Sequence, residues 1–256
     1  MSGRLPRLWL ALVYLLLYVP IGVLLLYSFN DARTPYRWGG WSLRWYRALF
    51  ADAAMMQALW NSLGLACTAA SLATAIGALT AFALHRYRFR GQGLMRGLLF
   101  VAMMSPEIVL AISLLALFLL VGVQLGFVSL LIGHLTFCLP FVVITVLARL
   151  AGFDAQLLEA ARDLGAGEFA ALRTVLLPAI LPALLAGWLL GFTLSLDDVV
   201  VSTFVGGPSY EVLPLRIYSM VRIGLKPEVN ALGTLLLALS LGALGLSQLL
   251  LWRGTR

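Results

Sequence analysis

The sequence predicts an all-α membrane protein with about six transmembrane helices, and three observations point there. Hydrophobic residues make up 62% of the chain and charged ones only 11%, with a mean hydropathy of +0.98, far from the usual soluble range. The apolar residues come in runs of helical length, not in the alternating segments of about ten residues that an outer-membrane barrel requires. The charges gather at the ends of these runs, with Arg4, Arg7, Arg86, Arg88, Arg90, Arg96, Arg149, Arg253 and Arg256 each flanking one. A net charge of +7 distributed in this way reads as loops retained on one side of a membrane rather than as a nucleic-acid-binding face.

The first apolar run, Leu8 to Tyr27, is longer than a signal-peptide core. It is followed by Ser28-Phe29-Asn30-Asp31 rather than by a small-residue cleavage pattern, so it is expected to remain as the first span. A first outer loop over about residues 29–60 follows, in which Trp38, Trp41 and Trp45 suit a helix at the membrane boundary. Further spans are expected at Ser62–Leu84, Leu98–Val121, Val128–Leu147, Ile180–Val205 and Ala231–Leu251, each near the ~20 residues needed to cross hydrocarbon. Pro106, Pro140 and Pro182 lie in or at the edges of spans, where each removes a helical hydrogen bond and is expected to kink its helix.

Orientation follows from the arginines. The short joins Arg86–Arg96 and Arg149–Arg173 and both termini are basic, which places them in the cytoplasm. Arg33, Arg37, Arg44, Arg47, Arg216, Arg222 and Lys226 then fall in two long outer loops, where the rule acts weakly. The reading is a single transmembrane domain over residues 1–256 of a bacterial inner membrane.

Between the fourth and fifth spans hydropathy drops. Asp154 can cap a short helix, Gly165 can supply the left-handed residue that ends it, and a second short helix would run from about Glu168 towards Pro178. Leu157, Leu158, Ala161 and Leu164 share one face, with Glu159, Arg162 and Asp163 elsewhere. The residues alone leave two readings level: an amphipathic helix on the inner leaflet, or a docking element for a soluble partner.

Ionisable residues inside spans cost roughly 2.5–3.5 kcal/mol for an Asp at a helix centre, so each needs a reason. Glu107 lies some eleven residues past Arg96, roughly 16 Å deep at helical rise. Asp197 and Asp198 come late in the fifth span and point about 100° apart. Asp198 shares its helical face with Gly191, Ser195 and Ser202, and Asp197 shares its own with Thr193, Val201 and Phe204. One reading makes Glu107, Ser195, Asp197 and Asp198 the lining of a cation path, with Trp45 offering an aromatic surface near its outer mouth. The other has the carboxylates joining helices or capping a broken one.

Cys67 and Cys138 lie inside apolar runs with no ligand-spaced Cys or His, and are expected to be small buried residues. His134 reads as a helix-packing or helix-end residue and His85 as the head of a basic loop, so no metal site is expected. There is no Gly-x-x-x-x-Gly-Lys-Ser/Thr loop, and the one lysine, Lys226, precedes a proline. No nucleophile–base pair stands out, and enzymatic activity is not expected.

Glu159-Ala160-Ala161, then Gly165, Val175 and Leu177-Pro178, resemble the EAA loop of ABC-importer permeases. The resemblance continues through Tyr87–Gly91, Met103–Val109, Thr136–Phe141, Thr193–Val199, Gly207–Glu211 and Pro227–Ala231. Nearly the whole chain is similar to spermidine/putrescine permease subunits of the PotC type. Val175 stands where Ile is common and Glu107 where Asp is expected, without altering the charge pattern.

The resemblance implies the type I importer permease fold, with the 154–178 loop as the coupling helix that meets the ATPase. Glu159, Ala160, Ala161, Gly165 and Glu168 would form that contact. It also implies a second permease subunit as heterodimer partner, two ATPase subunits and a periplasmic or lipid-anchored polyamine-binding protein, with ATP and Mg on the ATPase and no cofactor on this chain. The competing expectations are a permease for putrescine alone or another small organic cation and, from a different class, an ion-coupled secondary transporter.

Overall fold

The structure is a computed structural model describing residues 4–34, 37–154, 156–223 and 227–254. Of the residues singled out above, Lys226 and Arg256 lie outside the described residues, as does position 155 in the 154–178 loop. The helices in chain order are α1 (Arg4–Ser28), α2 (Arg44–Ala51), α3 (Ala53–Arg86), α4 (Gln92–Met104), α5 (Glu107–Val121), α6 (Phe127–Ala151), α7 (Gln156–Asp163), α8 (Glu168–Ala171), α9 (Leu177–Asp197), α10 (Val200–Val205), α11 (Leu213–Ile223) and α12 (Glu228–Gly254). A π-helical turn, Leu172–Leu176, joins α8 to α9.

Among the described residues four helical stretches are long and apolar enough to cross a membrane: Arg7–Ser28, Ala53–Arg86, Phe127–Ala151 and Glu168–Asp197. The expected third span is not one straight helix. It is α4 and α5, bent by 111° at their junction, and counts as a fifth span only if the bent pair is taken together. The cause is local: Pro106 has no N–H to give, and it drives Ser105 to an extended ψ of 136°. α6 and α9, by contrast, run on through Pro140 and Pro182. The expected sixth span falls on α12. α3 begins at Ala53, and the stretch between α1 and α3 contains α2.

The chain divides into two compact units. In the unit of residues 1–58 and 216–246, the apolar side chains of α1 are largely exposed, as suits a helix facing lipid. Asp52 starts α3 by accepting from the N–H groups of Ala54 at 3.0 Å and Met55 at 3.1 Å. Its other carboxylate oxygen stands 3.5 Å from Arg216. The Met55 bond, the largest effect, and more weakly the Arg216 charge and the Ala54 bond together hold the Asp52 carboxyl below the ordinary carboxylate range against the opposing effect of burial.

The unit of residues 59–215 and 247–256 carries the larger core. α6 and α9 pack along each other, because Gly187 and Gly191 of α9 lie against Val142 of α6. α3 joins them through Gly77, where an added Cβ would stand 2.9 Å from Val142 Cγ1. Val142, Val143 and Val146 are fully buried there with Ala73, Ala81 and Cys138. Small residues let these backbones approach, which is how helices associate where lipid supplies no hydrophobic drive. Cys138 is buried as expected, but Cys67 is exposed: its turn of α3 faces outward while Ala66 and Ala70 face in.

Two outcomes follow for stability. Gly77→Val overpacks the α3–α6 contact and lowers stability by about 1–3 kcal/mol, read as a lower melting temperature of the purified protein in detergent. For Asp52 the folded-state pKa is depressed, so its contribution is whole above the unfolded value of about 3.9 and fades as pH falls through the folded one. Melting of the natural chain against Asp52→Asn should show a gap at pH 7 that closes below roughly pH 4.

Candidate functional site

Two helix breaks meet inside the larger unit. At the first, Pro106 precedes α5 and Glu107 occupies its first turn, where the positive end of the helix dipole favours a carboxylate. At the second, α9 ends at Asp197 and α10 starts at Val200, with Asp198 in an extended conformation at φ −65° and ψ 125°. The Glu107 carboxyl is an electrostatic neighbour of both Asp198 and Asp197. Across the second break the face expected for Asp198 persists, while the face expected for Asp197 does not. Val201, assigned to the Asp197 face, is fully buried.

The two adjacent aspartates differ in environment. Asp198 is buried, and its carboxylate accepts from the N–H of Val201 at 3.0 Å and of Ser202 at 2.7 Å, capping α10. Asp197 is exposed, beside the exposed Thr193. The stripe of Gly191, Ser195, Asp198 and Ser202 is interior, all four residues being buried. Glu107 is half-buried. No ion pair of the described residues includes Glu107 or Asp197.

His134 of α6 belongs to the same cluster, although its isolated position in an apolar run suggested packing alone. It is 1% exposed. Its Nδ1 lies 2.6 Å from Ser195 Oγ, and its Nε2 lies 3.1 Å from Ser202 Oγ and 3.5 Å from Asp198 Oδ2. The sequence signal that could have found it is the coincidence of one histidine with two serines and an aspartate spaced for a single face of a neighbouring helix.

In the smaller unit, Trp45 is buried, and its indole N–H donates to the Asn30 carbonyl at 2.7 Å. The Asn30 side chain accepts from Gly39 N–H and donates to the Arg37 carbonyl, and Asn30 pairs through its backbone with Trp41. Trp45 is thus the post of a turn between α1 and α2, and the exposed aromatic faces are Trp41 and Trp38, whose rings meet edge to face.

The 154–178 segment folds as a helix, a turn and a helix. Asp154 accepts from Gln156 N–H at 2.9 Å, and Gly165 takes φ +87°, a conformation glycine adopts without strain. Glu159, Ala160, Gly165 and Glu168 are exposed and Ala161 is half-buried. Arg162 reaches across the turn to Glu168 at 3.2 Å. Leu158 and Ala161 turn inward, while Leu164 is 90% and Phe169 77% exposed. Two large apolar side chains bared around one charged turn are what a partner's cleft would cover.

Helices of spanning length, carboxylates gathered at two breaks and a projecting helix–turn–helix define a polytopic membrane transport protein. Residues 73–252 match the family described as binding-protein-dependent transport system inner membrane component. The spermidine/putrescine transport system permease protein PotC of Escherichia coli (strain K12) is 57% identical over 251 residues, covering 98% of this chain and 95% of that protein. The corresponding PotC of Haemophilus influenzae is 55% identical, covering 93% of each. The putrescine transport system permease protein PotI of Escherichia coli (strain K12) is 39% identical, covering 95% and 88%.

Among solved structures, a bacterial ABC transporter involved in the import of the acidic polysaccharide alginate superposes with a TM-score of 0.72 at 18% identity, covering 97% of this chain and 98% of that one. The MetNI methionine ABC transporter in an inward-facing conformation gives 0.66 at 21%, covering 80% and 100%. The chain belongs to the family of inner-membrane permease components of binding-protein-dependent transport systems. Its fold is that of type I ABC importer permeases, and it is a transport subunit rather than an enzyme.

The two aspartates should separate experimentally. Asp198→Asn, with one carbonyl oxygen in place of two acceptors in a buried cap, should cost about 1–2 kcal/mol of stability. Asp197→Asn, at an exposed position, should leave the melting temperature within about 1 °C.

Proposed function

We propose that this chain is one permease subunit of an ATP-driven importer that moves polyamines, spermidine and putrescine, into the cytoplasm by alternating access. The observation that carries the reading is the meeting of Glu107 with Asp197 and Asp198 at two helix breaks. Irregular backbone at membrane depth is tolerated where it is buried in protein or lines a watered cavity. Glu107 and Asp197, which form no ion pair among the described residues, favour a mobile cation, and a polyamine brings two or more ammonium groups spaced by apolar methylenes. The higher identity to spermidine/putrescine permeases than to the putrescine permease supports the broader substrate pair.

Glu107 and Asp197 are the groups that meet the cargo. Asp198 and Ser195 hold the break from inside, and Trp45 fixes the outer-loop aromatic turn. The path is of low affinity, since carboxylates that bound tightly would trap the ligand. Selection of polyamines comes first from a periplasmic or lipid-anchored binding protein docking on the outer loops, and the path adds a smaller discrimination among them.

A second, related permease subunit completes the path as a heterodimer. Two ATPase subunits hold ATP and Mg and grip the loop of Glu159, Ala160, Ala161, Gly165 and Glu168, with Leu164 and Phe169 as its apolar anchors. Both termini are cytoplasmic, in keeping with the arginines flanking the terminal spans.

The test is spermidine uptake and spermidine-stimulated ATP hydrolysis in liposomes carrying the chain with its partner subunits. Gly165→Pro cannot adopt the φ of +87° and should keep assembly while lowering uptake by roughly tenfold or more, about 1.4 kcal/mol in the coupled step. Uptake that proceeds without ATP and partners would instead mark an ion-coupled secondary transporter.

A further inference from the structure

We infer that His134 is a positioning residue for the cation path: its ring clasps the broken helix on both sides of Asp198 and so sets where Asp197 stands. The inference rests on the reading of Glu107 and Asp197 as cargo-facing groups given above.

A span that breaks must satisfy the backbone groups it frees and must also fix the angle between its halves. The Asp198 carboxylate meets the first need by accepting from Val201 and Ser202 N–H, but a cap on α10 leaves its direction relative to α9 free. His134 is the group that reaches both halves. Its Nδ1 is 2.6 Å from Ser195, on α9 before the break, and its Nε2 is 3.1 Å from Ser202, on α10 after it.

A neutral imidazole has one donor and one acceptor nitrogen. The Asp198 carboxylate, 3.5 Å from Nε2, only accepts. Nε2 therefore carries the hydrogen on the Asp198 and Ser202 side, and Nδ1 accepts from the Ser195 hydroxyl. The frame behind the ring is fixed, since an added Cβ at the preceding Gly133 would stand 2.9 Å from Val201 Cγ1, leaving α6 and α10 no slack. Asp197 is the last residue of α9 and lies between the two clasped serines, so the spacing of its carboxylate from Glu107 depends on the angle the clasp holds. Cargoes with different distances between ammonium groups report that spacing.

The test uses the assembled importer in liposomes, with Cys67→Ser removing the exposed thiol and spin labels placed on Leu190→Cys and Thr203→Cys, both exposed and on opposite sides of the break. His134→Leu should broaden or shift the label-to-label distance distribution. It should also change the ratio of KM for spermidine to KM for putrescine by about threefold or more. His134→Gln, whose amide occupies the place of Nε2 and so keeps the Ser202 link while losing the one to Ser195, should broaden the distances and change the ratio by less than His134→Leu does.

If His134→Leu does not assemble, the pair Ser195→Ala and His134→Gln carries the test. Both remove the Nδ1 link, so the double variant should broaden the distances no more than either single one. Unchanged distances or an unchanged KM ratio in His134→Leu, or additive distance effects in the pair, would overturn the inference. If the natural complex takes up no polyamine, the polyamine reading fails, while the label distances, which need no transport, still decide whether His134 holds the break.

Discussion

The larger unit depends on one bargain struck inside the membrane: a helix is interrupted, and the interruption is made tolerable by a buried carboxylate that accepts two of the freed N–H groups. In hydrocarbon neither the open backbone nor the charge could stand alone, and each relieves the other. The Asp198 cap lets α9 stop and α10 start, and the interior stripe of Gly191, Ser195 and Ser202 is small and polar because it packs around that junction. The other break follows a simpler rule. Pro106 removes one donor and bends its neighbour's backbone outward, and the helix that restarts places Glu107 in its first turn. Two breaks of different origin thus bring three acidic side chains together.

Much of this was legible in residues. Run lengths gave the long helices, and Asp154 with Gly165 gave the helix–turn–helix, because a cap and a left-handed glycine are local signals. What could not be read was anything that required knowing where a helix stops inside an apolar run. Asp198 looks like one more helical position until its ψ of 125° is seen, and a periodicity argument carried past it assigns Val201 to the wrong face. Cys67 was expected to be buried because small apolar residues usually are, yet neighbours one residue away on α3 take the inward places. His134 carries no local signal, since its three partners lie 61 to 68 residues ahead.

The aromatic residues between α1 and α3 teach a related lesson. Three tryptophans within eight positions suggested one interfacial surface, but hydrogen-bonding chemistry divides them. The indole N–H of Trp45 is consumed by the Asn30 carbonyl, which buries its ring, and the outward faces fall to Trp38 and Trp41. Composition locates such a cluster, and the donor and acceptor ledger sorts its members.

The stretch from Glu168 to Asp197 is a single helical run of 30 residues, carried through the π-helical turn at Leu172–Leu176 and through Pro182. At 1.5 Å per residue it is a rod about 45 Å long, with Glu168 at one end and an acidic side chain at the other. Rods convert small angles into large displacements: a tilt of about 10° about one end sweeps the other through about 8 Å. That is longer than the gap across a hydrogen bond and comparable to the length of a short diamine, so leverage along α9 suffices to relate a loop and a carboxylate that never touch.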